Sequence, residues 1–413
     1  MSLEKIGKVL SRELGDLKER GSLKGAETVI TGVRAGEGDK GPRYFVQGYG
    51  DKEFLRMNSN SYLGMPLRQE LMEAEEKGAR EFGVGPGAVR FISGTYKPHV
   101  ELEERLARFH GREAAMIFSS AYATIMGILA PLISPDTIVV SDELNHNCII
   151  NAIRLSRPKD KKVYRHNNMA ELESAIKESI GNCGRMIVVT DGIFSMRGDY
   201  APLREIADLA ARYDPEFEEG ILTVVDDSHG VGAIGETGRG TTEHTRENRV
   251  GILVSTLGKA LGTNGGYLVS DATVVQYLRE TAPFYVYSNP ITAQEASAAL
   301  KALEILDSEA GKKMMKYLRE MVAYFRKGLV ELGYEVIEGE HPVVPLMIRD
   351  TGKTIELVRY LKDNGILATG LSYPVVPRGD EEIRFQVSAS HTRYDMDCVL
   401  KVLREHRKIA QAG

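Results

Sequence analysis

The sequence predicts an α/β protein: a large, mostly parallel β-sheet covered by helices on both faces, followed by a smaller α+β domain. From about Pro98 to Pro290, short apolar runs alternate with stretches of helical period. The strand candidates within it are apolar throughout, as strands buried on both faces must be. After about Leu332 the pattern changes to strand, helix, strand, strand, helix. At 413 residues the chain is long enough for more than one core.

Taken in order, residues 1–57 read as an N-terminal arm, Gly-rich and charged, with an amphipathic helix near Ile6 to Leu17 and a short strand at Tyr44 to Val46. Residues 58–292 form the expected large domain. Its helices show in the spacing of Leu102, Leu106 and Phe109, and of Leu203, Ile206, Leu209 and Tyr213. Its strands are expected at Ile138–Val140, Met186–Val189, Leu222–Val225, Ile252–Val254 and Tyr267–Val269. The apolar window Ala114 to Ile133 has the length of a membrane span, but Ser119, Ser120, Tyr122, Thr124 and Pro131 interrupt it. A core element bearing a functional turn is the reading. Residues 293–413 form the expected small domain, opening with helical sequence from Ala293 to about Leu332 and closing with a helix from Asp395 to Lys408.

A formal net charge of -5 offers no global basic field for nucleic acid. Cys148, Cys183 and Cys398 are widely spaced and form no CxxC pair, so neither a disulfide framework nor a metal site is indicated. With no apolar leader after Met1, a cytoplasmic protein without a membrane span is expected.

In an open α/β sheet, ligands bind beyond the carboxyl ends of the strands. Val140 is followed by Ser141, Asp142, Asn145 and His146; Val189 by Thr190, Asp191 and Ser195; Val225 by Asp226, Asp227, Ser228 and His229; Val254 by Ser255, Thr256 and Lys259. Acid, hydroxyl, imidazole and amine thus reach one rim. Pyridoxal 5'-phosphate needs such a set: a lysine for a Schiff base, a carboxylate for the pyridine nitrogen and donors for a phosphate. Taken singly, Lys259 among its glycines reads as a solvated loop residue, Asp226 as a cap and His229 as a core histidine. It is their convergence that favours the cofactor.

Gly230-Val231-Gly232-Ala233-Ile234-Gly235 matches GxGxxG, but Gly238 and Gly240 follow where a dinucleotide site would open a helix, so a turn is expected. Gly258-Lys259 is not a nucleotide phosphate loop either, because Leu253 and Ala260 stand where that motif needs glycine and Ser or Thr.

Several stretches resemble the α-oxoamine synthases, a branch of the fold-type-I pyridoxal-phosphate enzymes with the aspartate-aminotransferase-like fold. They are Asn58-Ser-Asn-Ser-Tyr-Leu-Gly64, Arg90-Phe-Ile-Ser-Gly-Thr95 with His99 and Glu101-Leu-Glu103, Ser141-Asp-Glu-Leu-Asn-His146, Thr190-Asp-Gly-Ile-Phe-Ser-Met196, Asp226-Asp-Ser-His229 with Gly235 to Gly240, Thr256-Leu-Gly-Lys-Ala-Leu-Gly262, and Arg384-Phe-Gln-Val-Ser-Ala-Ser-His-Thr392. They run in the family's order.

The resemblance implies that Lys259 carries the cofactor and moves the Cα proton, that Asp226 pairs with the pyridine nitrogen, and that His229 and Ser195 contact the phenolic oxygen. His146 would stack on the ring. Ser120, with the amides of Ala121 and Tyr122, would join Thr256 at the phosphate, and Ser288 would reach a second subunit's phosphate, which implies a homodimer. Asn60 and Arg384 would grip the substrate carboxylate.

The implied reaction condenses a small amino acid with an acyl-CoA and releases free CoA. Within the family the sequence looks most like the 2-amino-3-ketobutyrate CoA ligases (glycine C-acetyltransferases), through Asp226-Asp-Ser-His229, Pro374-Val-Val-Pro377 and Arg384 to Thr392. Glycine and acetyl-CoA are then the expected substrates. Gly230 instead resembles the 8-amino-7-oxononanoate synthases, which use alanine and pimeloyl-CoA. Residues Asp214 to Gly220 and Tyr122-Ala-Thr-Ile depart from the pattern. An aminotransferase or aldolase without CoA stays open as an alternative. An inactive partner subunit is disfavoured by the presence of Lys259, Asp226 and Arg384.

Overall fold

The computed structural model describes residues 2–20, 23, 26–373 and 375–412; Pro374, quoted above, lies outside them. Contacts divide the chain into two compact units. One holds Met1–Ser59, Ala323–Glu338 and Val343–Gly413, the other Asn60–Val322 and Gly339–Pro342.

This grouping differs from the expected division into arm, large domain and small domain. The N-terminal segment goes with the C-terminal residues, because Arg43 and the Gly41 amide both bond to the buried Asp395 carboxylate. Helix Ala293–Leu306 falls in the other unit, where it packs against helices Gln69–Phe82 and Lys97–His110. Its buried face is mostly alanine. Gly78 permits the close approach, since a Cβ there would stand 2.8 Å from the Gln294 Cα.

In the first unit, β1 (Ile30–Arg34) and β2 (Arg43–Val46) pair antiparallel, and β3 (Leu55–Arg56) follows. The second unit carries a seven-stranded sheet of β4 (Ala114–Phe118), β5 (Thr137–Asp142), β6 (Asp160–Tyr164), β7 (Arg185–Asp191), β8 (Ile221–Asp226), β9 (Ile252–Thr256) and β10 (Gly266–Ser270). Their order across the sheet is β4-β10-β9-β8-β7-β5-β6, and only β10 runs against the rest. Every expected strand run lies inside one of these. The central strands are buried on both faces, and the core between sheet and helices is built from Val139, Ile187, Val189, Val224, Ile252 and Leu268.

The remaining strands return to the first unit: β11 (Glu335–Val336), β12 (Val343–Met347), β13 (Ile366–Leu367), β14 (Thr369–Leu371) and β15 (Glu382–Gln386). They form an antiparallel sheet of order β11-β12-β15-β14, while β13 pairs with β3. Among the described residues, no helix is long and apolar enough to cross a membrane.

The window Ala114 to Ile133 is two elements. Strand β4 ends at Phe118, and helix Ala121–Leu132 begins behind Ser120, whose Oγ accepts from the Ala123 amide at 3.1 Å. The glycine-rich segment after His229 is a turn, as expected. Val231 bridges back to Arg239, and Glu243 gathers the amides of Thr237 and Arg239. Gly240 (φ +84°) is required there, because a Cβ would come within 2.0 Å of the Asp227 carboxylate.

Candidate active site

Five strands of the large sheet deliver polar groups past their carboxyl ends. After β4 comes the start of helix Ala121–Leu132; after β5, Asn145 and His146; after β7, Ile193 and Ser195; after β8, Ser228 and His229; after β9, Lys259. Ala121, Tyr122, His146, Cys148, Asp191, Ile193, Ser195, Asp226, Ser228, His229 and Lys259 line one cleft. Most of the residues expected from the sequence are therefore brought together.

At the floor of the cleft, Asp226 ends β8, buried, with Oδ1 accepting from the Ser228 amide at 3.0 Å. Its Oδ2 meets the Cys148 Sγ at 3.7 Å. That sulfur also lies 3.0 Å from His146 Nδ1. Burial, reinforced by the charge of Asp226, pushes the Cys148 thiol far up, so it is an uncharged donor.

Asp191 ends β7 beside Asp226. Burial, then the Asp226 charge, raises its carboxyl well above the usual range, while the His146 amide donates to it at 3.1 Å. Asn145 ties these strand ends together, accepting from the Asp191 amide at 2.8 Å and donating to the Val189 carbonyl at 2.9 Å. Burial, opposed by Asp226 and aided by Lys259, lowers the His146 pKa and favours a neutral ring.

His229 is oriented from outside the cleft. Its Nδ1 and the Tyr62 hydroxyl are 2.7 Å apart, and Tyr62 Oη donates to Asn60 Oδ1 at 3.4 Å. The His229 carbonyl accepts from His341 Nε2 at 2.7 Å. Asn60 thus reaches the cleft through Tyr62.

Ser120 acts as the cap of its helix, and Thr256 Oγ1 accepts from the Gly258 amide at 3.0 Å and donates to the Gly265 carbonyl at 3.1 Å. Ser288 is half-buried after helix Pro283–Val286 and is not among the lining residues. Arg384 lies on β15 in the other unit, between Pro345 and Thr369. Cys148, Tyr62, Asp191 and Ser228 were not singled out as ligands from the sequence. The signal available for Cys148 was its place two residues after His146.

The donor set fits pyridoxal 5'-phosphate. An amine and a carboxylate share the cleft, and the first amides of helix Ala121–Leu132, which lack intrahelical partners, suit an anion. Gly266 leaves those amides accessible, because a Cβ there would come within 2.3 Å of the Ala121 nitrogen. Ser228 Oγ is buried with no hydrogen-bond partner among the described residues, a polar position suited to a ligand. No cluster that could hold a metal ion occurs among the described residues.

Residues 52–403 match the family described as Aminotransferase class I and II. The chain is 40% identical to an 8-amino-7-oxononanoate synthase of Bacillus pumilus over 359 residues, covering 87% of this chain and 89% of that one. It is 38% identical to 8-amino-7-oxononanoate synthase 1 of Bacillus velezensis over 403 residues, 97% and 98% of the two chains. A serine palmitoyltransferase of Sphingomonas wittichii superposes with a TM-score of 0.87 at 23% identity, covering 99% of each chain. These relatives carry the second of the two subfamily names expected from the sequence, and the glycine C-acetyltransferase likeness finds no support among them. The chain belongs to the aminotransferase class I and II family, pyridoxal-phosphate enzymes of fold type I, and within it to the α-oxoamine synthases.

Proposed function

We propose that this protein condenses alanine with a pimeloyl thioester, the 8-amino-7-oxononanoate synthase reaction. The observation that carries the reading is the convergence of Lys259, Asp226, His146 and a helix N-terminus on one cleft, in a chain related to enzymes of that name. When bound, pyridoxal 5'-phosphate supplies a sink for the electron pair left on the amino acid's Cα.

The chain's own residues do the rest. Lys259 would anchor the cofactor and, freed by the incoming amino acid, would remove the Cα proton. Asp226 would pair with the pyridine nitrogen, with the Cys148 thiol fixing its carboxylate. His146, whose neutral form burial favours, would stack on the ring. Ser195 and His229 would meet the phenolic oxygen, the latter oriented by Tyr62. The amides of Ala121 and Tyr122, behind Ser120 and with Thr256, would hold the phosphate, and Ser288 of a second copy would complete that pocket. Asn60 and Arg384 receive the amino-acid carboxylate. A C–C bond would form between Cα and the acyl carbonyl carbon as the C–S bond breaks and the thiolate takes up a proton; the bond from Cα to its carboxylate would then break, releasing carbon dioxide, and a proton would take the carboxylate's place on Cα.

A second reading, glycine with acetyl-CoA, rests on the likeness of Asp226-Asp-Ser-His229, Pro374-Val-Val-Pro377 and Arg384 to Thr392 to the glycine C-acetyltransferases. Thiol release by the cofactor-loaded protein separates the two. Alanine with pimeloyl-CoA should be turned over in clear preference to glycine with acetyl-CoA and serine with palmitoyl-CoA. Preference for glycine and acetyl-CoA would replace the proposal with the second reading. No thiol from any pair would remove CoA chemistry altogether.

A further inference from the structure

We infer that His166, which lies outside the cleft, is a positioning residue that fastens the Ser195 loop to the strand end leading to His146 and so sets how tightly the cofactor is held. The inference rests on the proposed placement of the cofactor in the cleft.

His166 follows β6, at the sheet edge. Its Nδ1 stands 3.2 Å from Asp142 Oδ1, and its Nε2 stands 3.2 Å from Asp199 Oδ2. Asp142 is the last residue of β5 and starts the turn to His146, with Oδ1 accepting from the Leu144 amide at 2.8 Å and Oδ2 from the Asn167 amide at 2.9 Å. Asp199 closes the loop that carries Ser195: its carbonyl accepts from the Phe194 amide at 3.0 Å, and Ile193 bridges Tyr200. The Phe194 ring meets the His166 ring edge-on at 4.3 Å. Asn167, next along the chain, adds a bond from Nδ2 to the Tyr200 carbonyl at 3.2 Å. Within this loop, Ile193 and Ser195 face the cleft while Phe194 and Asp199 face His166. The loop is therefore held from behind.

Both ring nitrogens can donate at once only in the imidazolium form. Burial works against that form, but the carboxylates of Asp142 and Asp199 outweigh it and raise the His166 pKa to about 9. Arg197, on the same Asp199 oxygen at 2.8 Å, and Glu143, which accepts from the His166 amide at 2.8 Å, are the other charged groups around it. Above that pH a single N–H remains. The Asp142 side chain is fully buried and that of Asp199 is 26% exposed, so the bond given up is the one to Asp199. The Ser195 loop then loses its charged fastening and keeps the Asn167 bond to Tyr200 and the Phe194 ring contact.

The test is titration of the full-length apoprotein with pyridoxal 5'-phosphate, following its visible absorption, in wild type, His166→Phe, Ser195→Ala and the double variant across neutral to alkaline pH. Wild type should lose affinity as pH rises through about 9, His166→Phe should bind about tenfold more weakly at neutral pH without that limb, and the double variant should be no weaker than Ser195→Ala. Lys259 is common to every protein and cancels in the ratios. Asp199→Asn, which keeps the ring and its Asp142 bond, should move the limb to lower pH, and it gives a reading if His166→Phe does not fold. Additive losses in the double variant, or an unchanged alkaline limb in either His166→Phe or Asp199→Asn, would overturn the inference while leaving the cofactor site intact. A wild type that binds no cofactor would overturn the proposed function as well.

Discussion

Cys148 and Asp191 both face Asp226, and burial pushes each of them away from its charged form. The Cys148 thiol is the donor that fixes one Asp226 oxygen, at 3.7 Å. Replacing Cys148 by Ala should weaken cofactor binding about two- to tenfold and shift the pH midpoint of the bound cofactor's spectrum, whereas Ser, which keeps a donor, should restore most of both. Equal behaviour of the two variants would show that the sulfur acts only as filler. Lys259→Ala should remove the visible band of the bound cofactor and slow thiol release by roughly 10²–10⁴-fold, read in the same assay. Lys259, Asp226 and His229 were legible because each follows an apolar run that could only be a buried strand. Tyr62 was not, since its partner His229 is 167 residues away and its own segment has no strand period. Cys148 read as one of three scattered cysteines because its neighbours, Asp226 and His146, meet only after strands β5 and β8 are aligned in one sheet.

The family stretch Arg90 to Glu103 is explained by one buried carboxylate that ties a loop, two helices and a strand. Glu103, in helix Lys97–His110, takes both terminal nitrogens of Arg90 at 3.2 Å, Arg279 at 2.8 Å and the Ile117 amide of β4 at 3.1 Å. Glu103→Ala strands two guanidinium groups in a region where Arg90 and Glu103 are under a tenth exposed. It should cost about 3–5 kcal/mol, read as a lower denaturant midpoint; a change within error would place the stretch's role elsewhere. The same scale shows what periodicity misses. Strand β6 reads Asp-Lys-Lys-Val-Tyr and is the sheet's edge, where lysines blunt unwanted pairing and erase the apolar signal. The break between β4 and its following helix was hidden for the opposite reason, because both elements are apolar and only the Ser120 cap separates them.

Across the molecule, buried ionisable groups set how stability follows pH. Burial depresses His110 to about 3 and His391 to about 4, from 6.5, so the unfolded chain takes up protons that the folded one refuses, and stability from these groups rises until pH 6.5. Burial pushes Asp227 up to about 7 despite its bonds from Thr241, so its folded form keeps a proton that the unfolded chain sheds above about 4. Its contribution falls until pH reaches about 7. His166, raised from 6.5 to about 9, contributes fully below 6.5 and fades as pH climbs through about 9. Above 6.5 only losses remain, so the melting temperature should decline toward alkaline pH, and His166→Phe should flatten that decline; an equal slope in the variant would sink the assignment. The overall class was legible from strand and helix period, but the grouping of chain segments was not. A buried Asp395 that captures Gly41 and Arg43 leaves no local pattern, because its partners lie more than 350 residues away.

The reversed strand β10 has a consequence for the order in which the protein is made. Strand β4, wholly apolar from Ala114 to Phe118, has β10 as its only neighbour in the sheet among the described residues. A chain emerging from the ribosome therefore carries β4 with an open edge until residues 266–270 have appeared, long after β5, β7 and β8 can pair with one another. The start of helix Ala121–Leu132 behind β4 and Lys259 between β9 and β10 come together in that same closing event. A cofactor bound in the proposed cleft would then grip only chains in which β4 and β10 have met.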